Sequence, residues 1–128
     1  MRRINGETFG RWSLRLDAAY CVLLGLGVAV FAERIASSIA LASWLVAAVG
    51  IAVVVWAGGV LWMLSRLPLR RALWLVMSAN LLAALAVALV STTAATVLVV
   101  IAVAVVAIDI ALFAVSQAIA LRALPTAR

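Results

Sequence analysis

From Ala72 to Ile108 the chain carries no charged residue. As a single α-helix that run would be about 55 Å long, nearly twice the ~30 Å hydrocarbon core of a bilayer. One crossing cannot use it up, so the run predicts a membrane hairpin. The turn belongs at Ser91-Thr92-Thr93, where three small hydroxyl residues can end one helix and cap the next. The third and fourth spans then cover about 72–90 and 94–121.

The same measure applied upstream gives two more spans, about 14–31 and 43–64. Between them, 33–42 reads as a short interfacial turn of helix, with Ile35, Ile39 and Leu41 set against Ser37 and Ser38. Pro68 stops the second span, and Arg66, Arg70 and Arg71 keep the following loop out of lipid. The expected fold is an all-α membrane protein, a four transmembrane helix bundle forming a single transmembrane domain over 1–128. Composition agrees: 70% of residues are apolar and 11% charged, against about 45–50% and about 25% in soluble domains.

Arg2-Arg3 ahead of an apolar run invite a signal-peptide reading of the first span. The intervening region is long and mixed in charge, with Glu7, Arg11, Arg15 and Asp17, so the run is read as a retained span. A shift of 60 lays Arg11 on Arg71, Ala19 on Ala79, Tyr20 on Asn80 and Val30 on Val90. A shift of 50 lays Ile51-Ala52-Val53 on Ile101-Ala102-Val103. A tandem hairpin repeat and chance identity in an Ala- and Val-rich chain both account for these matches.

All ten basic residues are Arg, and the formal net charge is +6. With four spans, Arg2, Arg3, Arg11, Arg15, Arg66, Arg70, Arg71, Arg122 and Arg128 fall on one side and only Arg34 on the other. The excess of Arg predicts that both termini and the middle loop face the cytoplasm, in the plasma (inner) membrane of the cell. These residues then set topology and meet anionic lipids at the cytoplasmic face; nucleic acid is not the expected partner. One cysteine and no histidine exclude a disulfide framework and a conventional zinc, haem or copper site, so neither metal nor cofactor is expected.

An ionisable group at the centre of a span costs at least about 2.5–3.5 kcal/mol, which singles out Asp109 between Ile108 and Ile110. It reads either as a proton-carrying or ligand-binding carboxyl or as a hydrogen-bonding group between helices. Asn80 lies at equal depth across the hairpin and is its expected partner. Ser116 and Gln117 follow about two turns later and extend a polar stripe. On the first span Asp17, Tyr20, Cys21 and Leu24 share a face. Asp17 is expected either to pair with Arg15 or an Arg of the middle loop, or to join the others. The candidate ligand- or proton-binding set is Asp109, Asn80, Asp17, Tyr20 and Gln117, lining one cavity open to the cytoplasm. Cys21 reads as a packing residue. Gly25, Gly27, Gly58, Gly59, Ala83 and Ala84 read as places of close helix approach.

Leu14-Arg15-Leu16-Asp17-Ala18-Ala19, with Asn80-Leu81 and Leu121-Arg122-Ala123-Leu124, resembles an actinobacterial-type family of small four-helix integral membrane proteins. The resemblance covers nearly the whole chain through short motifs and implies no activity. Where that family often carries an aromatic a few residues after the Asn, this chain has Ala83 and Ala84. Small multidrug transporters are of similar size, but they depend on a Glu in the middle of the first helix. This chain has only Asp17 near the end of its first span.

Three functions fit these residues. The expected one is a non-enzymatic subunit or small-ligand-binding bundle, working as a homo-oligomer or beside a partner membrane subunit. The runner-up is a proton-coupled small transporter acting as a dimer through Asp109. An enzyme is not expected, because without His, Lys or a metal only Asp17, Asp109 and Tyr20 could do acid–base work on a lipid or quinone.

Overall fold

A computed structural model describes residues 5–126. Its helices are α1 (Gly6–Val30), α2 (Ala32–Ser38), α3 (Ser43–Arg66), α4 (Leu69–Ser91) and α5 (Val97–Ala123). All but α2 are long and apolar enough to cross a membrane. The chain is thus a helical bundle with four membrane-spanning helices, and α2 is the short helix expected between the first two.

The helix ends follow their capping chemistry. α1 starts at Gly6 rather than near 14, because the Asn5 side chain accepts from the backbone N–H groups of Glu7 at 3.1 Å and Thr8 at 3.4 Å. Glu7 adds an acid to the first turn, where the helix dipole favours it. The hairpin turn falls where the hydroxyl triplet predicts. Ser91, Thr92 and Thr93 donate back to the carbonyls of Ala88, Leu89 and Val90 and so close α4. They do not start α5. Thr96 does, accepting from Val99 N–H at 3.3 Å, which moves the start from 94 to Val97.

α1 packs along α3, and α4 along α5. In α1 and α3 the buried positions run nearly from end to end, Gly6 to Gly25 and Val46 to Met63. They approach closely at Gly25 and Gly50: a Cβ on Gly25 would lie 2.6 Å from the Gly50 carbonyl oxygen, and one on Gly50 would lie 2.6 Å from the Ala29 nitrogen. Backbone meets backbone there, so neither position can carry a side chain. Gly27, Gly58 and Gly59, also read as packing glycines, face open space instead. Gly6 supplies a second close approach, with its Cβ position 2.6 Å from the Ala123 backbone of α5.

The second hairpin is buried at one end only. Its buried residues are Ala72, Leu73, Val76 and Asn80 in α4 and Ala107, Ala114, Gln117 and Ala120 in α5. The common apolar core joins Leu14, Ala18 and Cys21 to Ala57, Val60 and Met63, and both to Ala72, Leu73, Val76 and Ala120. It lies near the end where the start of α1, the α3–α4 loop and the end of α5 meet. Arg70 pins that end by donating to the carbonyls of Pro125 at 3.0 Å and Leu124 at 3.4 Å. Arg11, Arg15, Arg66, Arg71 and Arg122 belong to this end too, while Arg2, Arg3 and Arg128 lie outside the described residues. At the opposite end the hairpins touch where Ala95 N–H donates to the Ser38 carbonyl at 3.0 Å.

Candidate functional site

Three helices each contribute one side chain to a polar cluster in the core, and α1 buries Ser13 as well. Asp17 from α1, Asn80 from α4 and Gln117 from α5 are 2%, 4% and 0% exposed. One Asp17 oxygen, Oδ2, accepts from Asn80 Nδ2 at 2.6 Å and from Gln117 Nε2 at 2.7 Å. Asn80 Nδ2 also donates to Gln117 Oε1 at 3.3 Å, closing a three-membered ring of hydrogen bonds. The Cys21 thiol donates to the other Asp17 oxygen at 3.6 Å. Among the described residues no buried side-chain nitrogen or oxygen lacks a partner. A polar network in hydrocarbon is stable only when its buried groups are paired, and among the described residues they are.

None of the cations considered for Asp17, Arg15 and the middle-loop Arg66, Arg70 and Arg71, pairs with it. Arg15 lies over the Trp12 ring, 5.9 Å from its centre, and Arg70 holds the α5 end. The ion pair seen among the described residues is Arg11 with Glu7 at 3.5 Å, on the surface of α1.

Asp109 belongs to neither this ring nor Asn80. It turns to α1, where Tyr20 Oη donates to its Oδ2 at 3.1 Å. One heptad away, the hydroxyls of Ser13 and Ser116 lie 2.6 Å apart. With Gly6 against Ala123, these contacts form an antiparallel seam along α1 and α5 that repeats every seven residues, the period that keeps two supercoiled helices in register.

The five candidate residues therefore form two sites. Ser116 lies two turns from Asp109 and shares its face, whereas Gln117 is about 100° further round the helix and points into the core. Likewise Ser13 and Tyr20 face the seam, while Asp17, between them, faces inward. The single cavity expected from the sequence is replaced by a sealed ring and an open seam. Ser13 was not among the candidates; its spacing of seven to Tyr20, matching that from Asp109 to Ser116, is the sequence signal that identifies it.

A groove of about 440 Å³ lies over the seam. Phe9, Trp12, Leu16 and Tyr20 form one wall and Asp109, Leu112 and Phe113 the other, with Ser13 and Ser116 between. The Tyr20 and Phe113 rings meet at 5.4 Å, tilted by 52°. Trp12, Leu16 and Leu112 are all more than half exposed on the outer surface of the bundle, so the groove opens sideways toward lipid. The only hydrogen bond to Asp109 among the described residues is the one from Tyr20, and its Oδ1 accepts none.

No family model, curated protein or solved structure matches the chain.

Proposed function

We propose that this small membrane protein is a non-enzymatic, small-ligand-binding bundle whose ligand is a lipophile entering the α1–α5 groove from the bilayer. The observation that carries this reading is Asp109: a carboxyl placed against lipid, held by one tyrosine hydroxyl and left with an unpartnered oxygen in an aromatic-walled groove. Carboxyls within a span mark ligand or ion pathways when they are not consumed by structure. The structural demand is already met by the Asp17 ring, which ties α1, α4 and α5 together. In this proposal the Arg-rich end faces the cytoplasm of the plasma membrane, rests on anionic lipids, and leaves the bundle able to oligomerise or join a partner subunit.

Photolabelling with an alkyl diazirine tests the groove. Labelling of Leu16, Tyr20 and Leu112 should saturate and be competed by unlabelled lipophile, whereas labelling of Leu89 and Leu98, on the distant exposed surface, should not. Leu112→Trp, which fills the groove, should remove the saturable fraction. Groove labelling as unsaturable as that at Leu89 would refute the proposal.

The half-buried Asp109 also supports a second reading, a dimeric proton-coupled transporter that exchanges a proton on Asp109 for its substrate. That reading requires protons to be released when ligand binds, measurable with a pH-sensitive dye and abolished in Asp109→Asn.

A further inference from the structure

Resting on the groove reading, we infer that the ligand is a lipophilic amine whose ammonium group sits on Asp109 and whose hydrocarbon portion lies along α1 and α5. Three observations converge on this class. First, the polar groups at the deep end of the groove offer acceptors. Tyr20 Oη spends its proton on Asp109 Oδ2, leaving its own lone pairs and Asp109 Oδ1 for an incoming donor. A carboxylic acid or a phosphate ester would bring more acceptors to a place that already has too many. Second, among the described residues no cation lines the groove, and none pairs with the carboxyl. Arg15, the cation on the neighbouring surface of α1, is engaged over the Trp12 ring. Third, the aromatic residues Tyr20 and Phe113 line the groove beside the carboxyl, and aromatic rings attract an ammonium ion placed over them.

The groove shape supports the remainder of the ligand. Its α1 wall runs from Phe9 to Tyr20, about 16 Å along the helix axis, with Leu16 and Leu112 flanking the path. An alkyl chain or fused ring system of that reach can lie parallel to the helices with its amine at the deep end. Ser13 and Ser116 do not compete for the ammonium, because they already bond one another and Ser116 donates to the Phe113 carbonyl.

Competition against the diazirine label, in an uncharged detergent, separates this inference from the reading beneath it. The probes are dodecylamine, dodecanol and laurate. Dodecylamine should compete at about tenfold lower concentration than dodecanol, because a charge-assisted hydrogen bond replaces a neutral one, and laurate should compete least. Asp109→Asn, which keeps an oxygen for Tyr20, should erase the preference for the amine while leaving dodecanol competition intact. Equal competition by amine and alcohol, a preference for laurate, or an amine preference that survives Asp109→Asn would each overturn the amine and leave the groove standing. Failure of all three probes to compete would overturn both, and a dimer whose groove residues are protected from the label would identify a second copy of the chain as the occupant.

Discussion

Asp17 and Asp109 are the two acidic side chains carried into the hydrophobic part of this bundle, and their surroundings are opposite. Asp17 is 2% exposed and accepts from two carboxamides and a thiol. Asp109 has the hydroxyl of Tyr20 and an open groove. The difference separates what a buried polar group does for assembly from what it can do for a ligand. A carboxyl with a complete set of donors orders the helices that supply them. One with a spare acceptor has capacity left for binding.

The largest effect should come from deleting the sealed carboxyl. Asp17→Leu leaves the buried Asn80 and Gln117 amides without their shared acceptor, and should cost about 3 kcal/mol or prevent assembly. Asp109→Leu should cost less than about 1 kcal/mol, since only a half-buried tyrosine hydroxyl loses its partner. Thermal unfolding in detergent reads both. Equal losses would remove the distinction between the two carboxyls.

Coupling comes next. In a double-mutant cycle, Asn80→Leu with Gln117→Leu should show an interaction of about 0.6–1.7 kcal/mol, because each amide contacts the other and both use Asp17. Asn80→Leu with Asp109→Leu should be additive, since no contact joins them. Coupling in the second cycle would restore the pairing that depth along the sequence suggests.

That pairing shows how far the sequence can be read. Charge-free length defines the hairpin, and the hydroxyl triplet places its turn. Depth is counted in residues away from that turn, which sets Asn80 level with Asp109, yet Asn80 donates to Gln117, eight residues further along α5. Rotation about the helix axis is harder to read. α5 is apolar on every side, so no hydrophobic stripe shows which face is inward, and one residue of phase divides Ser116 at the seam from Gln117 in the core. Spacing carries the missing phase information. Ser13 to Tyr20 and Asp109 to Ser116 are both heptads, and two matching heptads on antiparallel helices define a shared face.

On the open side of the comparison, Tyr20→Phe isolates the hydroxyl. The ring keeps its packing on Phe113, so the stability loss should be about 1 kcal/mol or less. Binding should respond differently: the variant frees both Asp109 oxygens, so dodecylamine competition should persist. Loss of that competition with stability intact would make Tyr20, rather than Asp109, the main ligand contact.

The smallest effect belongs to the serines, and it has a direction. Each hydroxyl has one proton, and Ser116 spends its own on the Phe113 carbonyl at 2.8 Å. Ser13 is therefore the donor in the 2.6 Å contact. Ser13→Ala removes that donor but leaves Ser116 bonded to its own helix, where helix hydroxyls are readily satisfied. Ser116→Ala leaves the Ser13 proton without its acceptor across the seam, so it should cost more of the two. Interhelical hydrogen bonds of this kind average about 0.6 kcal/mol in membranes, which bounds both losses. Ser13→Ala costing more than Ser116→Ala would reverse the donor assignment. A loss from either serine as large as that from Asp17→Leu would place the assembly energy in the seam rather than in the sealed ring.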